Sequence, residues 1–406
     1  MKPVTAVVLG GGSRGVNYSN YALLKPEELK IVAFAEPRAD RRTQFAERFS
    51  IPEENSFSSW QELLEKPRMA DVAFVCTLDQ DHIGPALAAL EKGYHILLEK
   101  PMSNREQDCI DIEAAAAKAG RHLTVCHVLR YTPFYQTVKG LIDDGKIGQV
   151  MVATQIEHVA YWHQAHSFVR GNWRDSVETS PMILAKCCHD VDILLWLAGK
   201  DCKKVSSFGS LRHFTAENAP EGAPMRCLDG CPHAQSCIYY APKLYLTGKT
   251  DWPVDVLTTD LTPEGIEKAL REGPYGRCVY HCDNDVVDRQ VVNMELEDGT
   301  VCNLIMSAFT ANCHRQLKIL GTLGQIQADM GTNEIWYHPF GGEAQKIQVP
   351  EADSGHGGGD YGLLQDFLKV VTEGGESRTS ARASLQSHLV CFAAERSRVE
   401  GRIIEL

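Results

Sequence analysis

The amino-acid sequence predicts two parts: a parallel, doubly wound α/β domain at the N-terminus, then an α+β domain with an open, mainly antiparallel sheet. Over the first third, apolar runs at 5–9, 30–35, 72–76, 95–98 and 123–125 alternate with amphipathic stretches at 37–49, 82–92 and 104–119. Strand–helix alternation with short connections builds a parallel sheet. From residue 286 onward, apolar runs at 290–296, 301–308, 316–320, 325–328 and 334–337 follow one another without helices between them. That pattern belongs to an antiparallel sheet, and Asp298-Gly299 between the first two runs is a hairpin signal.

The change of pattern places a boundary near residue 130, dividing 1–130 from 131–406. A helix over 132–144 leaves the first part, a strand follows at 150–157 and a helix at 181–197. Helices at 360–371 and 381–395 close the chain. The stretch 214–276, rich in Pro, Gly and Cys, reads as an insertion that runs on to about 285 with its last cysteines.

A length of 406 residues suits two domains, and 44% hydrophobic with 23% charged residues suits a globular core. A net charge of −12 repels phosphate backbones and argues against nucleic-acid binding. A strand starts almost at the first residue and no apolar run reaches membrane-spanning length, so a cytoplasmic location with neither secretion signal nor membrane span is expected. In such a compartment the 14 cysteines are thiols, metal ligands or core fillers.

The first run ends in Gly10-Gly11-Gly12-Ser13-Arg14-Gly15. Gly10, Gly12 and Gly15 form the G-x-G-x-x-G turn that lets backbone amides approach a pyrophosphate at a helix N-terminus. A strand before it and a helical pattern after it make the first part an α/β N-terminal Rossmann domain. Glu36 closes the second strand about 20 residues on, where an acid accepts the ribose hydroxyls of NAD and repels the 2′-phosphate of NADP. NAD is therefore the expected cofactor. Arg38, Arg41 and Arg42 follow closely and leave some tolerance for NADP.

Glu99-Lys100-Pro101 closes a later strand, and a cis bond before Pro101 is one way to turn the chain there. Further on come Gly171-Asn172-Trp173-Arg174, Cys188-His189-Asp190-Val191-Asp192 on a helix, Gly321-Thr322-Leu323-Gly324 between strands, and Gly355-His356-Gly357-Gly358-Gly359-Asp360 before a late helix. In this order the chain resembles, along essentially its whole length, the family of glucose–fructose oxidoreductase, inositol dehydrogenase and MocA. The resemblance implies NAD(P)-dependent redox chemistry at a carbinol carbon of a sugar or cyclitol bound between the domains. It implies Lys100 at the reacting hydroxyl and nicotinamide, and His189 holding or deprotonating the substrate. Ser13, Arg14, Arg38, Thr77, His82, Glu99 and Lys100 join the glycines and Glu36 as expected cofactor contacts. A homo-oligomer built on the open sheet face is expected by the same analogy.

Oxidising an alcohol needs a base for the proton and a positive group for the developing alkoxide. Lys186, His189 and Asp192 follow at three-residue steps and share a helix face. Many relatives carry an aspartate four residues before the histidine; here that position is Ala185, with Lys186 beside it. Lys100 and Lys186 near one hydroxyl would lower each other's pKa. The proton acceptor is thus either His189 or Lys186. Tyr161, His163, His166, Trp173 and Arg174, with Asp190, are candidate substrate contacts, since aromatic faces and cations suit a polyhydroxy ring. The same aromatic residues would equally make a packed sheet edge.

Within the insertion, Cys227-x3-Cys231-x5-Cys237 precedes Cys278-x3-Cys282. Cys227, Cys231, Cys237 and Cys282 are the expected ligands of a structural zinc, with Cys278 as the alternative fourth. Reduced core cysteines are the other reading. Three functions fit the whole: a dehydrogenase acting at a secondary hydroxyl, with C3 first; an NAD-dependent glycoside hydrolase using transient C3 oxidation; or an NAD(H)-binding sensor, which Lys100 and His189 argue against.

Overall fold

The structure, a computed structural model, describes residues 2–351 and 355–406. Six strands form the first sheet: β1 (Val4–Leu9), β2 (Leu29–Ala35), β3 (Ser56–Phe57), β4 (Val72–Val75), β5 (His95–Leu98) and β6 (Leu123–Val125). They run parallel in the order β3-β2-β1-β4-β5-β6. Every residue of β4 and β6 is buried. That explains their unbroken apolar runs: helices cover both faces. The strand order reverses between β1 and β4, and an open α/β sheet takes its ligand at that crevice, beyond the strands' carboxyl ends.

Nine strands form the second sheet: β7 (Val150–His158), β8 (Cys202–Ser210), β9 (Arg289–Leu296), β10 (Val301–Ser307), β11 (His314–Gly321), β12 (Gly324–Asp329), β13 (Glu334–Pro339), β14 (Gln345–Ile347) and β15 (Ile404–Glu405). Their order is β14-β13-β12-β11-β7-β10-β9-β8-β15. All neighbours are antiparallel except β7 and β10, which pair in parallel. Burial alternates along β10, β11 and β12, so one face is covered and the other open. Helices Pro133–Asp143, Cys188–Ala198 and Ala381–Glu400 supply the cover, with Val138, Val191, Leu194, Val390 and Cys391 in one core with Val292, Leu304 and Ile319.

Two departures from the sequence pattern matter for the site. The helix expected over 181–197 is interrupted at Lys186 and Cys187, leaving Met182–Ala185 and Cys188–Ala198. The C-terminal helices also return to the first sheet. Leu363, Leu364 and Phe367 of helix Gly359–Glu373 pack with Val8 and Phe74, and Ala381 with Leu98 and Ile112. Among the described residues, no helix is long and apolar enough to cross a membrane.

Arg130 and Asp192 fasten the two sheets' helices. The guanidinium donates to Asp192 through Nε (2.7 Å) and Nη2 (2.6 Å), and through Nη1 to the Arg378 carbonyl (2.8 Å). Asp192 therefore serves this anchor instead of joining Lys186 and His189 on one working face. With both groups buried, removing the cation leaves an uncompensated carboxylate. Arg130→Ala should cost about 3–5 kcal/mol of stability in urea denaturation. Adding Asp192→Asn should recover part of that loss; equal loss in the single and double variants would contradict it.

Candidate active site

The crevice between β1 and β4 is shaped by glycine. Gly10 has φ +105°, and a Cβ there would lie 2.5 Å from the Cys76 carbonyl oxygen. A Cβ at Gly15 would lie 2.1 Å from the Gly10 carbonyl. Gly12 is open by contrast: the nearest atom to a Cβ is Arg41 Nη1 at 3.7 Å. It caps helix Ser13–Leu24 without a side chain, so the unsatisfied amides of the first turn face a bare surface. That cradle fits a pyrophosphate. Glu36 is buried at its rim, accepting from the amides of Gly11 (2.9 Å) and Arg38 (3.0 Å). The Arg38 side chain turns away onto Asp40 (2.7 Å). These residues fit a dinucleotide.

Arg14 and Glu99 turn out to be braces. Arg14 donates from Nε to Glu99 (2.6 Å) and from Nη2 to Asp360 (2.7 Å). Glu99 also accepts from the Tyr18 hydroxyl (2.8 Å) and the Lys100 amide (2.8 Å). Burial raises the Glu99 carboxyl, but Arg14 and Lys100 outweigh it and hold it below the usual range. His82 braces the same turn from below, its Nδ1 2.8 Å from the Pro101 carbonyl oxygen and its Nε2 3.1 Å from that of Thr77. The Lys100–Pro101 peptide is cis.

From this turn Lys100 reaches across to the second domain. Its Nζ donates to the Ala185 carbonyl (2.7 Å). That carbonyl ends the short helix Met182–Ala185, and the last carbonyls of a helix have no intrahelical partner. The break at Lys186 and Cys187 thus creates the acceptor. One turn on, His189 is buried, and its Nδ1 has no hydrogen-bond partner among the described residues. Burial, then Lys100 and His127, push its pKa well below the ordinary histidine value. His189 is a neutral imidazole and can accept a proton. Behind it lies buried His127, with ring centroids 5.6 Å apart.

Lys186 faces the same space. Its Nζ is 3.3 Å from Glu157 Oε1, and Arg315 Nε is 2.9 Å from Oε2. Burial pulls the Lys186 ammonium down, but Glu157 and Cys313 outweigh it, and the net shift is upward. Burial raises the Glu157 carboxyl against Arg315 and Lys186; with two cations on one carboxylate, the ionised pair is the state the geometry favours. The sequence expectation of a depressed lysine pKa is therefore reversed, because a buried carboxylate lies 3.3 Å from the ammonium. Glu157, Arg315, His127 and Asp79 went unnoticed in the sequence.

The expected substrate contacts divide. His163 is at the site, its pKa lowered by burial and by Lys186, and its Nδ1 is 3.7 Å from Cys313 Sγ. Trp173 donates from Nε1 to Asp79 (3.1 Å), which also holds Ser180 (2.9 Å). Asp190 is fully buried and spent on Gln155 (2.5 Å) and Arg315 (2.8 Å), facing the sheet and not the cleft. His166, Tyr161 and Arg174 hold the insertion. His166 stacks on Tyr275 at 4.8 Å and its Nδ1 lies 3.0 Å from the Tyr245 hydroxyl. Tyr161 packs edge-on to Tyr239, and Arg174 pairs with Asp283 at 2.9 Å.

The zinc expectation finds no support in the structure. Among the described residues no three His, Cys, Asp or Glu side chains group as a metal site requires. Cys282 donates to the Cys278 carbonyl (3.2 Å), while Cys227 accepts from the Ala241 amide (3.4 Å). Cys278, with Cys237 and Cys282, packs around Phe214 and Tyr239, whereas Cys227 packs around Tyr245 and Leu270. Cys231 is half-buried at the edge. Cys227, Cys231, Cys237 and Cys278 nevertheless line one small cavity together with Arg170 and His233.

Two family models match the chain. Residues 4–127 match the GFO_IDH_MocA description "Oxidoreductase family, NAD-binding Rossmann fold", and 139–406 match "Oxidoreductase family, C-terminal alpha/beta domain". Among named relatives, the oxidoreductase YteT of Bacillus subtilis (strain 168) is 26% identical over 345 residues, 80% of this chain and 78% of that one. The inositol 2-dehydrogenase/D-chiro-inositol 3-dehydrogenase of Lactiplantibacillus plantarum is 26% identical over 166 residues, 40% of this chain and 44% of that enzyme. The solved structure of levoglucosan dehydrogenase in complex with NADH and L-sorbose superposes with TM-score 0.75 at 19% identity, covering 100% of this chain and 99% of that one. The chain belongs to the GFO_IDH_MocA family of oxidoreductases, with its NAD-binding Rossmann domain and C-terminal alpha/beta domain.

Proposed function

We propose that this protein transfers hydride between NAD(H) and a secondary hydroxyl of a sugar, glycoside or cyclitol, with C3 of a pyranose the first choice of carbon. The observation that carries this reading is the meeting of Lys100 and His189 beside the dinucleotide crevice. When bound, the nicotinamide supplies the hydride acceptor or donor. His189, held neutral, takes the hydroxyl proton. Lys100, anchored on the Ala185 carbonyl, keeps its remaining N–H donors for the oxygen that gains negative charge. Lys186 adds a second fixed positive charge and is not the base. The inositol and levoglucosan dehydrogenases among the relatives and solved structures support the substrate class.

One contact favours a redox-neutral variant of the same chemistry. Thr259 of the insertion donates to Asp40 (3.2 Å), close to Glu36, so the insertion reaches over that end of the crevice. A cofactor kept there through a whole turnover suits a glycoside hydrolase that oxidises C3, eliminates the aglycone, adds water and reduces the ring again. Measuring released aglycone and free NADH together separates the two readings.

Lys100→Ala and His189→Ala should each lower turnover by about 100- to 10,000-fold while leaving NAD binding intact. Near-normal turnover in either would remove that residue from the chemistry. Because His189 is depressed below the ordinary histidine value, it stays unprotonated as pH falls through about 6.5. The acid limb of kcat/KM for alcohol oxidation should therefore fall below that pH; a limb at or above it assigns the proton to another group.

NAD should bind more tightly than NADP in fluorescence titration, since Glu36 opposes a 2′-phosphate. Tighter NADP binding reverses the assignment. Pyranosides deuterated at C3 should show an isotope effect and pass label to the nicotinamide. Transfer only from C1, or activity confined to simple hydroxy acids, would exclude C3 chemistry.

A further inference from the structure

The covered face of β7 is unusual for a strand at the centre of a sheet. Ala153, Gln155 and Glu157 point inward and are fully buried, while Val150, Val152 and Ile156 are only half-buried. Three polar or small side chains thus occupy the face that should be apolar. Glu157 is the last of them, and it lies under the active site. It is flanked by Lys186 Nζ at 3.3 Å and Arg315 Nε at 2.9 Å. Arg315 is itself fixed by Asp190, 2.8 Å from its Nε, and Asp190 by Gln155 at 2.5 Å. The Tyr135 hydroxyl closes the row on Gln155 (3.2 Å). In this network the Lys186 side chain is 15% exposed, and His163 and Cys313 border it.

A buried carboxylate with no role would be expensive, since desolvating an ion costs several kcal/mol unless partners compensate. Arg315 alone could be satisfied by Asp190. Glu157 is therefore surplus to the structural pair, and the group it adds to the network is Lys186. Without Glu157, burial and the nearby Arg315 would drive the Lys186 ammonium toward the neutral form.

We infer that Glu157 is a positioning residue of this active site, one that fixes Lys186 as a charged donor aimed at a substrate oxygen. This rests on the hydride-transfer reading above, because a fixed cation assists where negative charge grows on the oxygen that loses its proton. Glu157 touches neither substrate nor cofactor. It acts through Lys186, and its contribution should appear in kcat more than in KM.

The test uses the full-length protein loaded with NAD. Glu157→Gln should lower kcat by about 100-fold, the scale of losing one preorganised donor, with KM changed less than about threefold. Its alkaline limb should move to lower pH, because the half-buried Lys186 then faces Arg315 with only Asp190, His163 and Cys313 near. The double variant Glu157→Gln/Lys186→Met should be no slower than Lys186→Met alone. An unchanged pH profile, or additive losses in the double variant, would make Glu157 purely structural. Should Glu157→Gln fail to fold, trace acylation of Lys186 against pH in the unsubstituted protein decides the matter. A lysine that resists acylation beyond the ordinary lysine pKa supports the inference, and one that reacts at or below it overturns the inference. That readout needs no turnover, so it is independent of whether any polyol is oxidised; absence of hydride transfer from every polyol in the unsubstituted enzyme would count against the hydride reading instead.

Discussion

A hydrogen bond from the Lys100 ammonium to the Ala185 carbonyl joins the two domains where the chemistry has to occur. Everything around it serves to make that bond possible. On one side the Lys100 turn is held by Glu99, Arg14, Tyr18 and His82. On the other the helix is broken after Ala185, which releases a carbonyl that an unbroken helix would have kept for itself. Hydride transfer tolerates little misplacement of the reacting atoms. A lysine whose ammonium is held by a backbone carbonyl across a domain boundary meets that demand better than one held by a flexible side chain.

The electrostatics follow from the same arrangement. Burial, then Lys100 and His127, drive His189 toward the neutral form. The Lys186 ammonium survives its burial because Glu157 is its fixed partner, while Lys100 is held in place by a backbone carbonyl. A site that combines a neutral imidazole with stable ammonium groups separates the proton acceptor from the charge stabilisers, so neither task compromises the other.

The parallel sheet was readable because buried strands must be continuous apolar runs, and the glycine turn because only glycine fits where a Cβ would lie 2.1 or 2.5 Å from a carbonyl oxygen. Lys100 and His189 were found through motif order. The rest was hidden for physical reasons. In β7 the apolar residues at 150, 152 and 156 mark the wrong face as inward, because the true inner face carries Gln155 and Glu157. Period-two patterning fails where a core holds a buried polar network. The helical pattern ran unbroken through Lys186, since neither Gly nor Pro marks the interruption. Arg174 read as a substrate contact, yet it pairs with Asp283, and the nearby Arg170 is fully buried and binds the carbonyls of Tyr239 and Arg277. A guanidinium suits an anion or a loop backbone equally, and sequence does not distinguish them.

The parallel pairing of β7 with β10 has a consequence for how the molecule assembles. These strands, at 150–158 and 301–307, are adjacent at the centre of the second sheet, yet the whole insertion lies between them in the chain. The centre of that sheet cannot close until the ribosome has delivered residue 307, whereas all six strands of the first sheet are complete by residue 125. The nascent chain thus carries all six strands of the first sheet for some time beside an unpaired β7, with the helices at 359–373 and 381–400 that complete its core still to come. The entropic penalty of so long a closure grows only logarithmically, by about 0.6 kcal/mol for each doubling of the loop. Lengthening or trimming the insertion therefore disturbs sheet formation little, and this stretch can change in size without moving Glu157 or the floor of the site.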